Sequence, residues 1–262
     1  MNWPLLCLDL DGTLLNDEGR LGQVSRRVLE ELRSRGHIVT FVTGRAEIDM
    51  AHSRDLYRYA DYMLMSNGGK LIRSSTGKTL FRTVVPPEQT RALTARCLQE
   101  GLQLYVVMGE RYAVTKVTPG VEQYAAEIGL RPIELSDPEE LPLDRVESFM
   151  SGGDGERVER LIRELGLSLR CIPSEPGCCD IMPETTGKWP GICRLAELLK
   201  IPTAEILTMG NYDNDIGMLR GAGMGVAVAN ALKHVQAAAD YVTQRTNNED
   251  AMEEVAQRLL GL

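Results

Sequence analysis

The chain has 262 residues, 43% hydrophobic and 25% charged, which supplies enough apolar material for a sizeable core and excludes a disordered polymer. Its 29 basic and 37 acidic residues leave a net charge of −8, which argues against nucleic acid or an anionic membrane as partner. No apolar run approaches the ~20 residues of a membrane span, and Met1-Asn2-Trp3-Pro4 lacks the positive region of a signal peptide, so a cytoplasmic location is expected.

Residues 5–10 form a short continuous apolar run ending in acids and Gly12, as in a strand buried on both faces of a parallel sheet. Val24, Val28, Leu29 and Leu32 then recur at helical spacing up to Gly36, and residues 37–42 read as a second strand that ends at Thr43-Gly44-Arg45. A helix through about residue 57 and a strand over 62–65 lead into Ser66-Asn67-Gly68-Gly69, a turn signal. Beyond it the pattern predicts a strand over 79–85, helices over 88–99, 121–128 and 156–165, and strands over 103–108 and 111–115. After Asp180-Ile181-Met182-Pro183 the βα rhythm resumes, with helices over 190–199 and 250–260 and strands over 205–209 and 225–228. The expected fold class is α/β, a Rossmann-like parallel-sheet core with helices on both faces plus an inserted α+β domain. The core takes residues 1–82 and 186–262 and the insert takes 83–185.

Gly221-x-Gly223-x-Gly225 is not a dinucleotide fingerprint, because it precedes a strand where that motif must follow one and open a helix. The six cysteines form no C-x-x-C pair, and three histidines lack the spacing of a zinc site. The thiols are therefore expected to be reduced, and chemistry is expected to run on carboxylates.

Asp9 and Asp11 sit two apart at the end of the first strand, a spacing that in extended chain turns both carboxylates to one side. Two close acids repel, and a hard cation with oxygen ligands, ordinarily Mg²⁺, keeps such a pair ionised. A calcium loop is excluded, because counting from Asp9 the twelfth position is Arg20 where a bidentate Glu is needed. Asn211, Asp213, Asn214 and Asp215 follow another apolar strand directly. Open α/β sheets bind ligands beyond the C-terminal ends of their strands, so these groups and Thr43 are placed to converge on one crevice. Thr43 offers a hydroxyl, Gly44 a backbone amide and Lys188 a positive charge just before a helix, all suited to a phosphate, whereas Arg45 reads as a loop residue.

Asp9-Leu10-Asp11-Gly12-Thr13, Thr43-Gly44-Arg45, Lys188 and Gly210-Asn211-Tyr212-Asp213-Asn214-Asp215, in that order, resemble the four motifs of the haloacid dehalogenase superfamily of phosphohydrolases. Ser66-Asn67-Gly68-Gly69 and Asp180-Ile181-Met182-Pro183 resemble the Cof-like subgroup, which carries a large α/β cap between the second and third motifs. The resemblance implies that Asp9 is the nucleophile, forming an aspartyl-phosphate, and that Asp11 protonates the leaving oxygen and then activates water. It implies that Thr43 and Lys188 hold the phosphoryl oxygens, with Gly44 and Asn214 beside the phosphate and Asp215 one layer behind. It places Mg²⁺ on the Asp9 side chain, the Asp11 carbonyl and Asn211.

Two departures stand out. The family has Asp where this chain has Asn211, so weaker metal affinity is expected unless Asp213 compensates. Trp189 follows Lys188 where a small residue is usual, and it is expected to pack as an ordinary aromatic or between the core and the cap. The function expected is Mg²⁺-dependent hydrolysis of a small phosphorylated metabolite such as a sugar phosphate, nucleotide or cofactor. A sugar phosphomutase using the same intermediate and a noncatalytic metabolite sensor with an impaired metal site are the alternatives. Oligomeric state and the roles of Cys178 and Cys179 are left open.

Overall fold

The structure is a computed structural model that describes residues 3–173 and 177–262. It divides into two compact units, one built from the chain up to Gly44 with Ser53–Phe81 and Gly187–Leu262, the other from Arg45–His52 and Arg82–Thr186.

In the first unit, β1 (Leu5–Asp9) is buried at every position, which explains its unbroken apolar run. After α1 (Gln23–Ser34), β2 (Ile38–Val42) pairs with β1 in parallel, Asp9 opposite Val42. β3 (Tyr62–Met65) pairs in parallel with β2, and the chain returns antiparallel through β4 (Lys70–Arg73) before β5 (Thr79–Arg82).

The second unit runs through α2 (Pro87–Glu100), β6 (Tyr105–Met108), β7 (Arg111–Val114), α3 (Pro119–Ile128), β8 (Ile133–Glu134), β9 (Ser148–Gly152), α4 (Gly155–Glu164), β10 (Leu169–Pro173) and β11 (Cys178–Pro183). Its sheet has the order β10-β11-β9-β6-β7-β8, antiparallel except where β8 joins β7. Leu93, Cys97, Val106, Phe149, Val158 and Leu161 share one buried apolar cluster. A second cluster gathers Tyr105, Val107, Tyr112 and Val114 with Ala46 and Ile48, which is how residues 45–52 come to lie in this unit. The helix expected through residue 57 is a 3₁₀ segment, Glu47–Tyr59, broken at Ser53.

Back in the first unit, α5 (Lys188–Leu199), β12 (Ile206–Gly210), α6 (Ile216–Gly221), β13 (Met224–Ala227), α7 (Lys233–Gln236), β14 (Tyr241–Val242) and α8 (Ala251–Val255) complete the fold. The closing helix continues from α8 into a wider π turn over Ala256–Leu260. β12 pairs in parallel with β1 on the edge opposite β2, giving the sheet order β14-β13-β12-β1-β2-β3-β4-β5. Strand order therefore runs outward from β1 through β2 and β3 on one side and from β12 through β13 and β14 on the other, and the C-terminal ends of β1, β2 and β12 frame a topological switch point. Trp189 packs in this unit against α6: a Cβ on Gly221 would come within 2.2 Å of its indole.

Candidate active site

The site assembles where β1, β2 and β12 end. Asp9 is the last residue of β1 and only 4% exposed. One carboxylate oxygen accepts a hydrogen bond from Thr13 Oγ1 at 2.7 Å, the other from Lys188 Nζ at 2.6 Å. Lys188 opens α5, two residues before the helix start predicted at Pro190, and its buried ammonium also donates to Asp215 Oδ1 at 2.6 Å. The second Asp215 oxygen accepts from the backbone N–H groups of Asn211 and Tyr212 at 2.9 and 3.0 Å, fixing the turn after β12. Gly210 makes that turn possible, since a Cβ there would lie 2.6 Å from the Asp215 side chain.

Two buried carboxylates thus share one buried ammonium, a cluster with one negative charge in excess. Burial, together with the Asp215 charge, pushes the Asp9 carboxyl up to about 7, against the opposing pull of Lys188 and Thr13. Burial by itself would lower the Lys188 ammonium, but the Asp215 and Asp9 charges outweigh it and hold it above the ordinary lysine value.

Asp11 lies beyond the end of β1, where the N–H groups of Thr13, Leu14 and Leu15 all fold back onto the Leu10 carbonyl. It is exposed while Asp9 is buried, so the two carboxylates do not share one environment as an extended strand would give them. Gly12 has φ +70, and a Cβ there would meet Asn211 Nδ2 at 2.3 Å, so the Asn211 amide packs directly on the loop that carries Asp11. Thr43 is fully buried after β2; its N–H donates to the Leu64 carbonyl at 2.8 Å and its carbonyl accepts from Asn67 N–H at 3.0 Å. Asn214 donates through Nδ2 to Asn67 Oδ1 at 2.8 Å. Asp213 is exposed and engaged by His234.

The structure therefore joins Asp9, Lys188 and Asp215 in one hydrogen-bonded cluster and brings Asn211 against Gly12. Three further neighbours complete the surroundings. Thr13 sits inside the Asp9-Leu10-Asp11-Gly12-Thr13 motif, Asn67 has the local sequence pattern of a turn, and Asn230, whose Nδ2 donates to the Gly12 carbonyl at 2.8 Å, has no local sequence signal.

The oxygen groups present suit a hard divalent ion. Each Asp9 oxygen accepts one hydrogen bond and keeps a further lone pair, and the Asp11 carbonyl and Asn211 amide are oxygen donors on adjoining loops. Among the described residues no three His, Cys, Asp or Glu side chains form a cage. The available set mixes carboxylate, amide and carbonyl, which serves an ion that retains several of its waters.

Residues 6–255 match the family model described as haloacid dehalogenase-like hydrolase. An HMP-PP phosphatase of Klebsiella pneumoniae is 27% identical over 238 residues, covering 89% of this chain and 86% of that protein. A haloacid dehalogenase-like hydrolase from Bacteroides thetaiotaomicron superposes with a TM-score of 0.85 at 25% identity, over 98% of this chain and all of the other. A haloalkanoate-superfamily phosphatase of the same organism gives 0.84 at 26% identity, over 98% and 94%.

Proposed function

The chain belongs to the haloacid dehalogenase-like hydrolases, and from that premise we propose that it is a Mg²⁺-dependent phosphatase of a small phosphorylated metabolite, working through an aspartyl-phosphate on Asp9. The observation that carries the reading is the buried cluster of Asp9, Lys188 and Asp215 at the switch point of the parallel sheet. A buried acid with one excess negative charge around it is a poor structural device and a serviceable nucleophile.

In this reading an Asp9 oxygen attacks the phosphorus in line, the bond from phosphorus to the ester oxygen breaks, and Asp11 delivers its proton to the departing alkoxide. Asp11, now a carboxylate outside the buried cluster, takes a proton from the water that attacks the phosphorus, and Asp9 and inorganic phosphate are regenerated. Lys188 offsets charge on the transferring group, Thr43 and the Gly44 amide hold its oxygens, and Asn214 lies beside it. Asp215 orients Lys188 and the turn after β12. Asp9, the Asp11 carbonyl and Asn211 would hold Mg²⁺, which when bound supplies positive charge next to the phosphate.

The second unit is proposed to act as the cap that selects the leaving group. It contains a recess of about 670 Å³ lined by Gln103, Tyr105, Tyr124, Met150 and Asp180 among others, with no Lys, Arg or His among its described lining residues. Such a lining suits a neutral or cationic ring better than a second anionic group. All six cysteines are free thiols, and a cytoplasmic location is part of this proposal. The test is phosphate release from p-nitrophenyl phosphate and a panel of phosphorylated sugars, nucleotides and cofactors, with and without Mg²⁺ and without an acceptor sugar. The reading expects Mg²⁺-dependent release that Asp9→Asn abolishes; turnover by the variant at the parental rate would remove Asp9 as nucleophile.

A further inference from the structure

Between β3 and β4 the chain passes through Ser66, Asn67 and Gly68, and its backbone there is strained. Ser66 and Asn67 have φ of +50° and +49°, left-handed values that glycine adopts freely and other residues rarely. Asn is among the more tolerant side chains in that region; Ser is less so. Both residues are buried, and Ser66 Oγ has no hydrogen-bond partner among the described residues. Met65 pairs opposite Lys70, so Ser66–Gly69 close the hairpin as a four-residue loop; hairpin turns ordinarily place positive φ values on Gly or Asn, and here one falls on a buried Ser. Strain of this kind persists only where the surroundings over-determine it.

The surroundings here are the loops of the site. Asn67 N–H donates to the Thr43 carbonyl at 3.0 Å. The Asn67 amide group packs on Gly44, where a Cβ would lie 3.3 Å from Nδ2 and 3.4 Å from Oδ1. Its Oδ1 accepts the Asn214 amide at 2.8 Å. The next residue, Gly68, fits against the start of α5: a Cβ on it would come within 2.1 Å of the Gly187 carbonyl and 3.2 Å of Lys188 Cα. A Cβ on Gly191, one turn into α5, would in turn lie 2.7 Å from the Gly68 carbonyl. One strained turn thus touches the segments that carry Thr43, Lys188 and Asn214.

We propose that Asn67 is a positioning residue for phosphoryl transfer, locking the Asn214 amide and the Thr43 backbone in the arrangement that receives the transferring group. The inference rests on the phosphatase reading above. Misplacing a substrate-holding group by about 1 Å can cost up to about 10²-fold in rate, and the loss falls on kcat when the group meets the transition state.

Asn67→Gly tests it, since glycine accepts the left-handed backbone and keeps the N–H to Thr43 while deleting the amide. The variant is expected to keep a cooperative melt, to lose kcat about 30-fold with KM within about threefold of the parent, and to raise the inhibition constant of orthovanadate about tenfold. In an Asn214→Ala background the same change should cost less than about threefold further, because its target is already gone. Asn67→Ser, which deletes the amide but stays neutral and keeps the N–H to Thr43, decides the matter by the same readouts if the glycine variant does not fold: a cooperative melt with kcat at least about tenfold below the parent and weaker orthovanadate inhibition is expected. The inference fails if Asn67→Gly, or Asn67→Ser in its place, keeps parental kcat and orthovanadate inhibition, or if the loss multiplies fully with that of Asn214→Ala. A parent chain that neither hydrolyses phosphate esters nor responds to orthovanadate would instead bring down the phosphatase reading, and this inference with it.

Discussion

Replacing Asp9 by Asn should change how the stability of the metal-free protein depends on pH, in a direction opposite to the usual acidic residue. The Asp9 carboxyl has an ordinary value of 3.8 and is pushed to about 7 in the fold, by burial first and by Asp215 second. The folded chain therefore binds the Asp9 proton more tightly than the unfolded chain does. The stabilisation this gives is complete below about pH 4 and is lost as pH rises through about 7. At about 1.4 kcal/mol per pH unit, the parent should lose about 2 kcal/mol from this group between about pH 5.5 and pH 8.5. Asp9→Asn removes the titration and leaves Lys188 and Asp215 as a neutral buried pair, so the variant should not show that loss. The assay is urea unfolding of both proteins in chelator-containing buffer at the two pH values. Other titrating groups are common to both chains and cancel in the difference between the two pH-induced changes. Parent and variant curves that move in parallel, within about 0.5 kcal/mol, would refute the reasoning. A divalent cation added to the parent should restore much of the loss, because positive charge beside Asp9 favours its carboxylate.

Other consequences follow from the same geometry. Lys188→Met leaves Asp9 and Asp215 facing each other without their shared ammonium; a loss of about 3–5 kcal/mol is expected, larger at alkaline than at mildly acidic pH, measured by denaturant unfolding. Asn211→Asp adds the missing negative charge, and the Mg²⁺ concentration for half-maximal activity should drop about tenfold; an unchanged value would show that the amide costs the site nothing. Gly12→Ala combines a left-handed φ of +70 with a Cβ 2.3 Å from Asn211 Nδ2, so it should weaken Mg²⁺ activation while costing only about 1–2 kcal/mol of stability, seen by comparing metal titrations with thermal melts.

The central strands were legible because burial on both faces leaves an unbroken apolar run, as in β1 and β12. Short or half-exposed strands escaped: β8 and β14 have two residues each and no face that must be apolar. The strand predicted over 79–85 stops at Arg82, where the chain enters the second unit and Val85 N–H donates to the Val146 carbonyl instead. Residues 45–52 looked like part of the first unit because the apolar residues that hold Ala46 and Ile48 lie more than fifty positions away in sequence. At the site, acids and a lysine in ordered motifs were visible because the chemistry demands those residue types. Asn67 and Asn230 were not, because they serve by hydrogen bonds between distant loops, and an asparagine beside glycine reads first as a turn. The pairing of Asp213 with His234 is likewise a tertiary fact with no local signature.

The most direct test of the account is to find where the phosphoryl group resides during turnover. An Asp11→Asn chain, impaired in activating water, is mixed with Mg²⁺ and p-nitrophenyl phosphate, whose leaving group departs without a proton from Asp11, then quenched in acid and mapped by peptide mass spectrometry. The account predicts a hydroxylamine-labile phosphoryl group on Asp9, absent when Asp9 is replaced by Asn. Phosphate release proceeding with the label on another side chain, or with no covalent phosphoryl-protein species at any time in a single turnover, would contradict it.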